Sequence, residues 1–304
     1  MDAAVVIVTK NRKQDLAVAI RSALNQTSQP RILVIDDQST DGTPEMLRSR
    51  FPMIRFVQSD TSRGYVFQRN RAASLIDTEI IFSIDDDAEF SSPRVIEQTL
   101  RDFSTSRIGA VAIPCFEPRN DSRVRQSAPD SSHIWVTDRF VGTAYAVRRN
   151  IFLQLGGYRE HLLHQGEEGD FCLRMLAAGY ITRLGRSDPI HHYVSEHRSS
   201  ERMDFYGRRN DILFACQNVP MPYLPFHLVA TAVKGSIYAI RYAQHPTKMF
   251  SGIFSGLAEC FGGDIERKPV DRRIYRLSRE LNKRGPVPLE SVINRLPSLS
   301  TISQ

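Results

Sequence analysis

The chain has 304 residues, of which 41% are hydrophobic and 24% charged, the composition of an ordinary globular protein with one large or two modest domains. Its net charge of +6 suits phosphorylated substrates or an anionic membrane surface, and its basic residues are not interleaved with aromatics as in nucleic-acid-binding modules, so we expect no nucleic-acid partner. No uninterrupted apolar run reaches the roughly 18 residues of a membrane-spanning helix, and the N-terminus does not resemble a signal peptide.

The first part of the chain alternates short apolar strands with helices. Thr43 is expected to cap the second helix, with Pro44 at its first position. Residues 114–132 are predicted to form a long loop. The alternation predicts an α/β fold with a doubly wound, mostly parallel sheet. Predicted strands lie at 3–8, 32–35, 54–57, 80–84 and 108–113, and predicted helices at 15–24, 66–76 and 92–103.

The last hundred residues are predicted to be mostly helical. Segments 226–243 and 249–261 are amphipathic, and basic side chains interrupt their apolar faces. Such helices either lie in a membrane interface or pack onto the rest of the protein, and the sequence leaves both interpretations open. The four cysteines lie far apart in sequence and are expected to be reduced, mostly buried thiols of a cytoplasmic protein.

Two clusters of aspartates directly follow predicted strands. Asp85-Asp86-Asp87 comes after the strand at 80–84, and Asp36-Asp37 after the strand at 32–35. The carboxyl ends of parallel strands meet at the edge where such folds bind ligands, so we expect the clusters to lie near each other. Like charges this close favour a bound divalent cation with oxygen ligands, whereas the alternative is a pair of solvated acidic turns.

Several motifs, taken in order, resemble those of family 2 glycosyltransferases, which are inverting enzymes with a GT-A fold. Residues 6–12 resemble the opening strand of the family, although Val8 stands where proline is usual. Residues 34–43 are very similar to its Asp-Asp-x-Ser-x-Asp-Gly-Thr signature, and 85–87 stand where it places Asp-x-Asp. The resemblance covers roughly residues 4–220 and includes further matches at 166–174, Arg63-Gly64, Arg69-Asn70, 191–195, Tyr206 and Arg209-Asn210.

The resemblance implies a nucleotide-sugar site at the ends of the first strands. Asp36 would accept a hydrogen bond from the nucleotide base, and Thr9 and Asn11 would line the same pocket. Arg69 would lie near the nucleotide and its phosphates. The donor is therefore expected to be a nucleoside-diphosphate sugar.

The resemblance also implies a metal site. Asp85 and Asp86 would approach the ribose or the sugar, and Asp87 would hold Mg²⁺ or Mn²⁺ on the diphosphate. Histidine at the position of His192 is often a metal or phosphate ligand in the family, and with Ser195 it fits a His-x-x-Ser spacing. A divalent cation would stabilise the negative charge that develops on the leaving diphosphate.

The motif at 166–174 would supply the general base of an inverting displacement, which removes the proton of the acceptor hydroxyl. The family usually has Glu-Asp here, and the spacing to Arg174 puts Glu168 at the Asp position. Glu167 and Asp170 remain alternatives, because an acid-rich helix N-terminus is also stabilised by the helix dipole alone.

Together these motifs predict a GT-A catalytic domain over residues 1–215 and a helical extension over 216–304. Within the domain, 1–113 would bind the nucleotide sugar and 114–215 the acceptor. The expected reaction moves a sugar from a UDP- or dTDP-linked donor to a glycan or lipid-linked acceptor in cell-surface polysaccharide synthesis. The expected location is cytoplasmic, with peripheral binding to the anionic inner face of the membrane.

Three other functions fit parts of the sequence. A sugar nucleotidyltransferase shares the fold type but needs a glycine-rich phosphate loop, which residues 9–12 are not. A receiver-like module would begin with residues 32–37, but here another strand precedes the acid pair. A non-catalytic glycan-binding module would have lost the acids, all of which are present.

Overall fold

The computed structural model describes residues 1–119, 121–194, 199–263 and 265–299. Thirteen strands occur in this described part of the chain: β1 (Ala3–Thr9), β2 (Arg31–Asp36), β3 (Arg55–Gln58), β4 (Ile80–Asp85), β5 (Ala88–Phe90), β6 (Ile108–Ala112), β7 (Cys115–Glu117), β8 (Asp121–Arg125), β9 (Trp135–Thr137), β10 (Ala144–Arg148), β11 (Ile181–Leu184), β12 (Ile190–His192) and β13 (Val287–Pro288). The α-helices in the same part are α1 (Lys13–Leu24), α2 (Thr43–Arg50), α3 (Tyr65–Leu75), α4 (Val95–Asp102), α5 (Arg149–Gln154), α6 (Glu167–Ala177), α7 (Ser200–Asn218), α8 (Tyr223–Tyr242), α9 (Pro246–Phe261) and α10 (Arg272–Arg284).

The main sheet has nine strands in the order β13-β9-β11-β6-β10-β4-β1-β2-β3. β1 lies between β2 and β4 and runs parallel to both. β10 is antiparallel to its neighbours β4 and β6, and β6 is parallel to β11. The prediction of a mostly parallel α/β sheet followed by C-terminal helices is confirmed.

The main sheet separates two hydrophobic clusters, one on each face. Val5 and Ile7 of β1 join the cluster that contains Leu16 and Ile20 of α1. Val6 of β1 joins the other cluster, which contains side chains of α3, α5 and α6. A strand covered on both faces has no polar side to show, which is why β1 is an unbroken apolar run.

A smaller sheet has four strands in the order β5-β12-β7-β8. It includes β7 and β8, so the prediction of an irregular loop over 114–132 is wrong. These strands are short, and β7 pairs with β12 from much later in the chain, so no local pattern indicates them. The predicted cap Thr43 is also wrong, since Gly42 (φ 83°) is the N-cap residue and Thr43 lies inside α2.

In the C-terminal part, α8 and α9 form a helical hairpin that packs on α7, and the chain then returns to the main sheet. α9 packs so closely on α7 that a Cβ at Gly252 would lie 2.2 Å from the carbonyl oxygen of Phe205. After α10, β13 pairs with β9 of the main sheet. The predicted domain boundary at residues 215–216 falls inside α7. Among the helices described, none is both long enough and apolar enough to cross a bilayer.

The cysteines differ from the expectation of four separate thiols. Cys216 of α7 and Cys260 of α9 are joined in a disulfide, with their Cα atoms 5.9 Å apart. The two residues are 44 positions apart in sequence, and only the packing of α7 on α9 brings them together. Cys115 and Cys172 are free and buried, as expected.

Candidate active site

The carboxyl ends of β1, β2 and β4 lie side by side at one edge of the main sheet. The register pairs Thr9 with Asp36 and Val8 with Asp85. Since the three strands are parallel, the acids that follow β2 and β4 point to the same edge. The predicted neighbourhood of the two acid clusters is therefore confirmed.

Asp85, Asp87 and His192 form a group that could hold a metal ion. One potential ligand atom from each residue lies within 4.8 Å of the other two. His192 Nε2 is 3.3 Å from Asp87 Oδ1 and 3.9 Å from Asp85 Oδ2. The pairing of β12 with β5 sets His192 opposite Ala88, directly after the aspartates. Ser195, the other member of the expected spacing, lies outside the described residues.

This set of donors fits a divalent cation. Two carboxylates and one imidazole are hard or borderline ligands of the kind that Mn²⁺ accepts, whereas Mg²⁺ prefers oxygen alone. Asp87 is 3% exposed and His192 5%, while Asp85 is less buried, so the group is accessible from outside at Asp85. That opening would leave coordination positions for a ligand from outside the chain.

Thr9 at the end of β1 and Arg12 at the start of α1 support the acid cluster. Arg12 Nη1 donates to Asp86 Oδ1 at 2.8 Å and to Asp87 Oδ2 at 3.0 Å. The hydroxyl of Thr9 donates to Asp86 Oδ2 at 2.8 Å. Burial raises the pKa of Asp86 to about 7, although the charge of Arg12 opposes that rise. Thr9 and Asp86 therefore brace the cluster, and Arg12, a residue that the sequence reasoning missed, balances its charge.

Replacing Arg12 with glutamine should lower stability by about 1–3 kcal/mol at neutral pH, because two buried carboxylates lose their cation. Mn²⁺ should restore more stability to this variant than to the unchanged protein, since it supplies the missing positive charge. Thermal melting with and without Mn²⁺ measures both effects. Arg21→Gln, an exposed change on α1, is the matched control. If Mn²⁺ raises the melting temperature of Arg12→Gln and of Arg21→Gln by the same amount, this role for Arg12 is contradicted.

Arg69 of α3 links the acid cluster to the motif of α6. Its Nη2 donates to Asp85 Oδ1 at 2.7 Å and to the carbonyl oxygen of Gly142 at 2.9 Å, and its Nη1 lies 3.4 Å from Glu167 Oε1. Arg69 is 7% exposed, and burial works against its charge while Asp85 favours it, leaving its pKa raised. The guanidinium therefore holds the two acidic groups at a fixed separation.

The three acids at the start of α6 differ in access to solvent. Glu167 and Asp170 are fully buried, and Glu168 is partly exposed. Glu168 faces Gly142, where a Cβ would lie 2.3 Å from Glu168 Oε1. Burial raises the pKa of Glu168, and burial together with the charge of Glu168 raises the pKa of Glu167 further. Of the two, Glu168 therefore offers the more accessible carboxylate oxygen.

Both carboxylate oxygens of Asp170 accept hydrogen bonds from other side chains of the protein. Its Oδ1 accepts from Arg159 Nη1 at 2.6 Å and from Asn218 Nδ2 at 2.8 Å, and its Oδ2 accepts from Arg174 Nε at 2.9 Å. The side chains of Arg174 and Asn218 also bind main-chain carbonyl oxygens. With both oxygens bonded and no exposed surface, Asp170 ties α6 to its surroundings.

The segment before α6 is held by α7. Asn210 Nδ2 donates to the carbonyl oxygens of Leu162, His164 and Gln165 at 2.7–2.8 Å. Arg209 donates to the carbonyl oxygen of His161 and to Glu259 of α9. Arg209 and Asn210, which the sequence motif singled out, therefore hold the backbone segment that leads to Glu167 and Glu168.

A cavity of about 420 Å³ adjoins the acid edge. Asp37 lies in its wall and accepts hydrogen bonds from Ser62 Oγ, Gln68 Nε2 and two backbone amides. Burial alone would raise the pKa of Asp37, but these hydrogen bonds outweigh it and lower that pKa. Further residues of the lining are Lys10, Ser62, Arg63, Gly64, Phe67, Glu160, Leu163 and Arg202.

Asp36 does not face this cavity. It is fully buried, and both of its carboxylate oxygens accept from the backbone amide of Ser39, at 3.1 and 3.2 Å. Asn11 Oδ1 accepts from the backbone amide of Thr40 at 2.7 Å. Asp36 and Asn11 therefore shape the turn after β2, and Asp37 is the neighbour that reaches the open space. Asp37, and not Asp36, therefore lies in the cavity wall, and the expected contact of Asp36 with a nucleotide base stays a prediction.

Comparison with known proteins places this arrangement in a recognised group. The family model described as "Glycosyl transferase family 2" matches residues 4–159. A succinoglycan biosynthesis protein, ExoU of Rhizobium meliloti, is 26% identical over 201 residues. That match covers 59% of this chain and 58% of the relative, so it leaves a large part of both proteins unmatched.

Solved structures share the fold at low sequence identity. A mannosyltransferase from Pyrobaculum calidifontis in complex with GDP-Man and Mn²⁺ is 18% identical, with a TM-score of 0.59 over 87% of this chain and 88% of that one. Residues 1–349 of TarS from S. aureus in complex with UDP-GlcNAc are 13% identical, with a TM-score of 0.61 over 94% of this chain and 92% of that one. At such identities the likeness shows the fold, which is of the GT-A type.

Proposed function

The chain belongs to glycosyl transferase family 2, and from that membership we propose that it is a metal-dependent, inverting transferase that uses a nucleoside-diphosphate sugar. The observation that carries this proposal is one continuous network. It runs from the metal-binding group Asp85, Asp87 and His192 through Arg69 to Glu167, the neighbour of Glu168 at the start of α6. The receiver-like, nucleotidyltransferase and glycan-binding alternatives are set aside by the family.

We propose that Asp85, Asp87 and His192 hold Mn²⁺, with Mg²⁺ as the weaker alternative. The cation would neutralise negative charge on the diphosphate of the donor as it leaves. Arg69 and Arg12 bind Asp85 Oδ1 and Asp87 Oδ2, whereas His192 Nε2 lies nearest the other oxygen of each carboxylate. The mannosyltransferase of the same fold, which was solved with GDP-Man and Mn²⁺, supports this assignment.

We propose Glu168 as the general base. Among the three acids of α6 it alone combines solvent access with a basic oxygen. It would take the proton of the acceptor hydroxyl as that oxygen attacks the anomeric carbon and the bond from that carbon to the diphosphate breaks. Glu167, whose carboxylate accepts from Tyr65 and Arg69, lies beside Glu168, and Asp170 anchors the helix.

We propose that the cavity beside Asp37 receives the nucleotide and that the donor is UDP- or dTDP-linked. Asp37 keeps its negative charge at neutral pH, because its pKa is lowered, and a base N–H group would replace the rotatable hydroxyl of Ser62 among the four donors that now bind its oxygens. Lys10 and Arg63 in the same lining suit phosphate oxygens. Among solved structures of this fold, TarS binds UDP-GlcNAc and the mannosyltransferase GDP-Man, so both support a nucleoside-diphosphate sugar and the choice of UDP or dTDP is the finer part of the proposal.

For the acceptor we propose a glycan or a lipid-linked glycan in the synthesis of a cell-surface polysaccharide. The support is the relative from succinoglycan biosynthesis, which aligns over 59% of this chain. Release of UDP from UDP-sugars in the presence of Mn²⁺ and candidate acceptors tests the whole proposal. Absence of donor turnover and of Mn²⁺-dependent UDP binding would refute it.

The base-binding role of Asp37 has its own test. Asp37→Asn should weaken UDP binding by about 10–100-fold, because a hydrogen bond to a charged acceptor is worth about 1.5–3 kcal/mol. Asp36→Asn is the matched control and should lower the melting temperature with little change in UDP affinity. Titration calorimetry with Mn²⁺ present measures both affinities. If Asp36→Asn alone weakens UDP binding, the role returns to Asp36.

A further inference from the structure

The hairpin of α8 and α9, with the turn before it, carries more than half of the large apolar side chains that are exposed in the described residues. Of the eighteen large apolar side chains that are exposed in the described residues, ten lie in the short stretch from Met221 to Phe261. Phe226, Ile240 and Phe261 are each more than 70% exposed. A water-soluble surface does not usually concentrate its apolar side chains in this way. These ten are Met221, Phe226, Val229, Val233, Ile237, Tyr238, Ile240, Tyr242, Phe254 and Phe261.

On α8 these side chains form one stripe that faces away from the protein. Its members, which we call the apolar stripe, recur at steps of three or four residues, the repeat of a single helix face. The face that packs inward is a different one and carries Leu228, Gly235 and Ala239. The stripe therefore adds nothing to the core of this chain. It consists of Phe226, Val229, Val233, Ile237 and Ile240.

The charges of the hairpin are positive. Between residues 221 and 263 the basic residues are Lys234, Arg241 and Lys248, and the single acid is Glu259. The carboxylate of Glu259 is bound by Arg209 of α7, so it does not offset the exposed cations. An apolar stripe flanked by lysine and arginine is the pattern of helices that bind anionic interfaces.

A basic helix adjoins the hairpin. Arg272 Nε at the start of α10 donates to the carbonyl oxygen of Met221 at 2.8 Å, and Tyr275 OH lies 2.7 Å from His227 Nδ1 of α8. The inward face of α10 is apolar and buried. Its outward face exposes six basic side chains: Arg272, Arg273, Arg276, Arg279, Lys283 and Arg284.

We propose that the apolar stripe, the exposed phenylalanines of α9 and the basic face of α10 form one docking surface for an anionic lipid bilayer. The apolar side chains would enter the boundary between headgroups and acyl chains, and the arginines of α10 would contact the headgroups. A second copy of this chain is a poorer occupant, because pairing this surface with itself would bring two sets of cations together.

Sedimentation with phosphatidylcholine vesicles, with and without phosphatidylglycerol, tests the surface in the full chain. We expect strong binding to the anionic vesicles at low salt and little binding to neutral ones. Phe226→Ser combined with Ile240→Ser should weaken binding by about a hundredfold through lost apolar burial. Arg276→Gln combined with Arg279→Gln should weaken it by about thirtyfold, at about 1 kcal/mol for each basic residue, and should reduce its dependence on salt.

The control variants change exposed side chains of the same two kinds, apolar and basic, that lie outside the proposed docking surface. Leu24→Ser with Met53→Ser removes exposed apolar side chains, and Arg50→Gln with Arg94→Gln removes exposed cations. Both pairs should bind vesicles like the unchanged chain. Lack of binding to anionic vesicles at low salt would overturn the proposal, as would unaltered binding of the stripe variant. Concentration-dependent dimers that the stripe variant abolishes, without vesicle binding, would assign the surface to a second copy. The measurement needs neither donor nor acceptor, so its outcome is independent of the transferase assay.

Discussion

Glu168→Gln is expected to lower kcat by about 10²–10⁴-fold and to leave donor affinity nearly unchanged. Glutamine keeps the size and most of the hydrogen bonding of Glu168 but cannot take a proton, and a general base acts in the transition state and contributes little to donor binding. Steady-state kinetics at saturating donor, together with calorimetry of UDP binding, separate the two effects.

Asp170→Asn is the matched control for that change. Asp170 accepts hydrogen bonds from Arg159, Arg174 and Asn218. Replacing it with the neutral asparagine should therefore lower the free energy of unfolding, by about 3–5 kcal/mol for a broken buried ion pair. Its effect on kcat in the protein that remains folded should be much smaller than that of Glu168→Gln. A collapse of kcat in Asp170→Asn with a nearly normal Glu168→Gln would transfer the base to Asp170.

The pH dependence of kcat follows from the same group. Burial raises the pKa of Glu168 above its ordinary value of 4.5, and a base works only when it has lost its proton. Transfer should therefore decline as the pH falls through this raised pKa, and it should be fully present above it. In Glu168→Gln this acid limb should disappear from the residual activity, as a pH–rate profile would show.

Asp87→Ala is expected to abolish the effect of Mn²⁺ on nucleotide binding. In the unchanged protein UDP should bind at least about tenfold more tightly with Mn²⁺ than with EDTA, a difference of about 1.4 kcal/mol. Without Asp87 the remaining pair, Asp85 and His192, offers too few ligands to hold the ion. Calorimetry with UDP in Mn²⁺ and in EDTA measures the difference.

The fold should survive this change, because Arg12 keeps Asp86 as its partner and one like charge is removed from the cluster. Asp77→Asn, on a side chain that is 78% exposed, is the matched control and should retain the full Mn²⁺ effect. Equal UDP affinity in Mn²⁺ and EDTA for the unchanged protein would remove the metal from donor binding. A normal Mn²⁺ effect in Asp87→Ala would move the ion to other ligands.

Local patterns in the sequence were enough to predict the core of the fold. Strands buried on both faces, such as β1 and β4, are continuous apolar runs, and a turn or a helix separates each from the next. The acids at their ends follow from the same local patterns. The order of the motifs then located His192, although nothing near it in the sequence identifies the strand that pairs with β5.

What the sequence could not supply depends on contacts between distant segments. The counter-charge Arg12 lies 74 residues from Asp86, and Asp36 and Asp37 cannot be told apart until the turn after β2 is built. A charged cluster at the end of a buried strand needs a cation, so Arg12, between β1 and α1, was the signal that could have been used. The disulfide of Cys216 with Cys260 likewise depends on how α9 lies against α7.

Gly142 matters when the activity of other members of the family is inferred from their sequences. Its missing side chain leaves the space that Glu168 Oε1 occupies, and its carbonyl oxygen receives Arg69. Any larger residue there would displace the end of the Glu168 side chain, while every aspartate and glutamate of the site would remain in place. A survey that counts only acidic motifs would score such a relative as active. With Glu168 as the proposed base, transfer would therefore also depend on the absence of a side chain at Gly142, which a list of functional groups does not record.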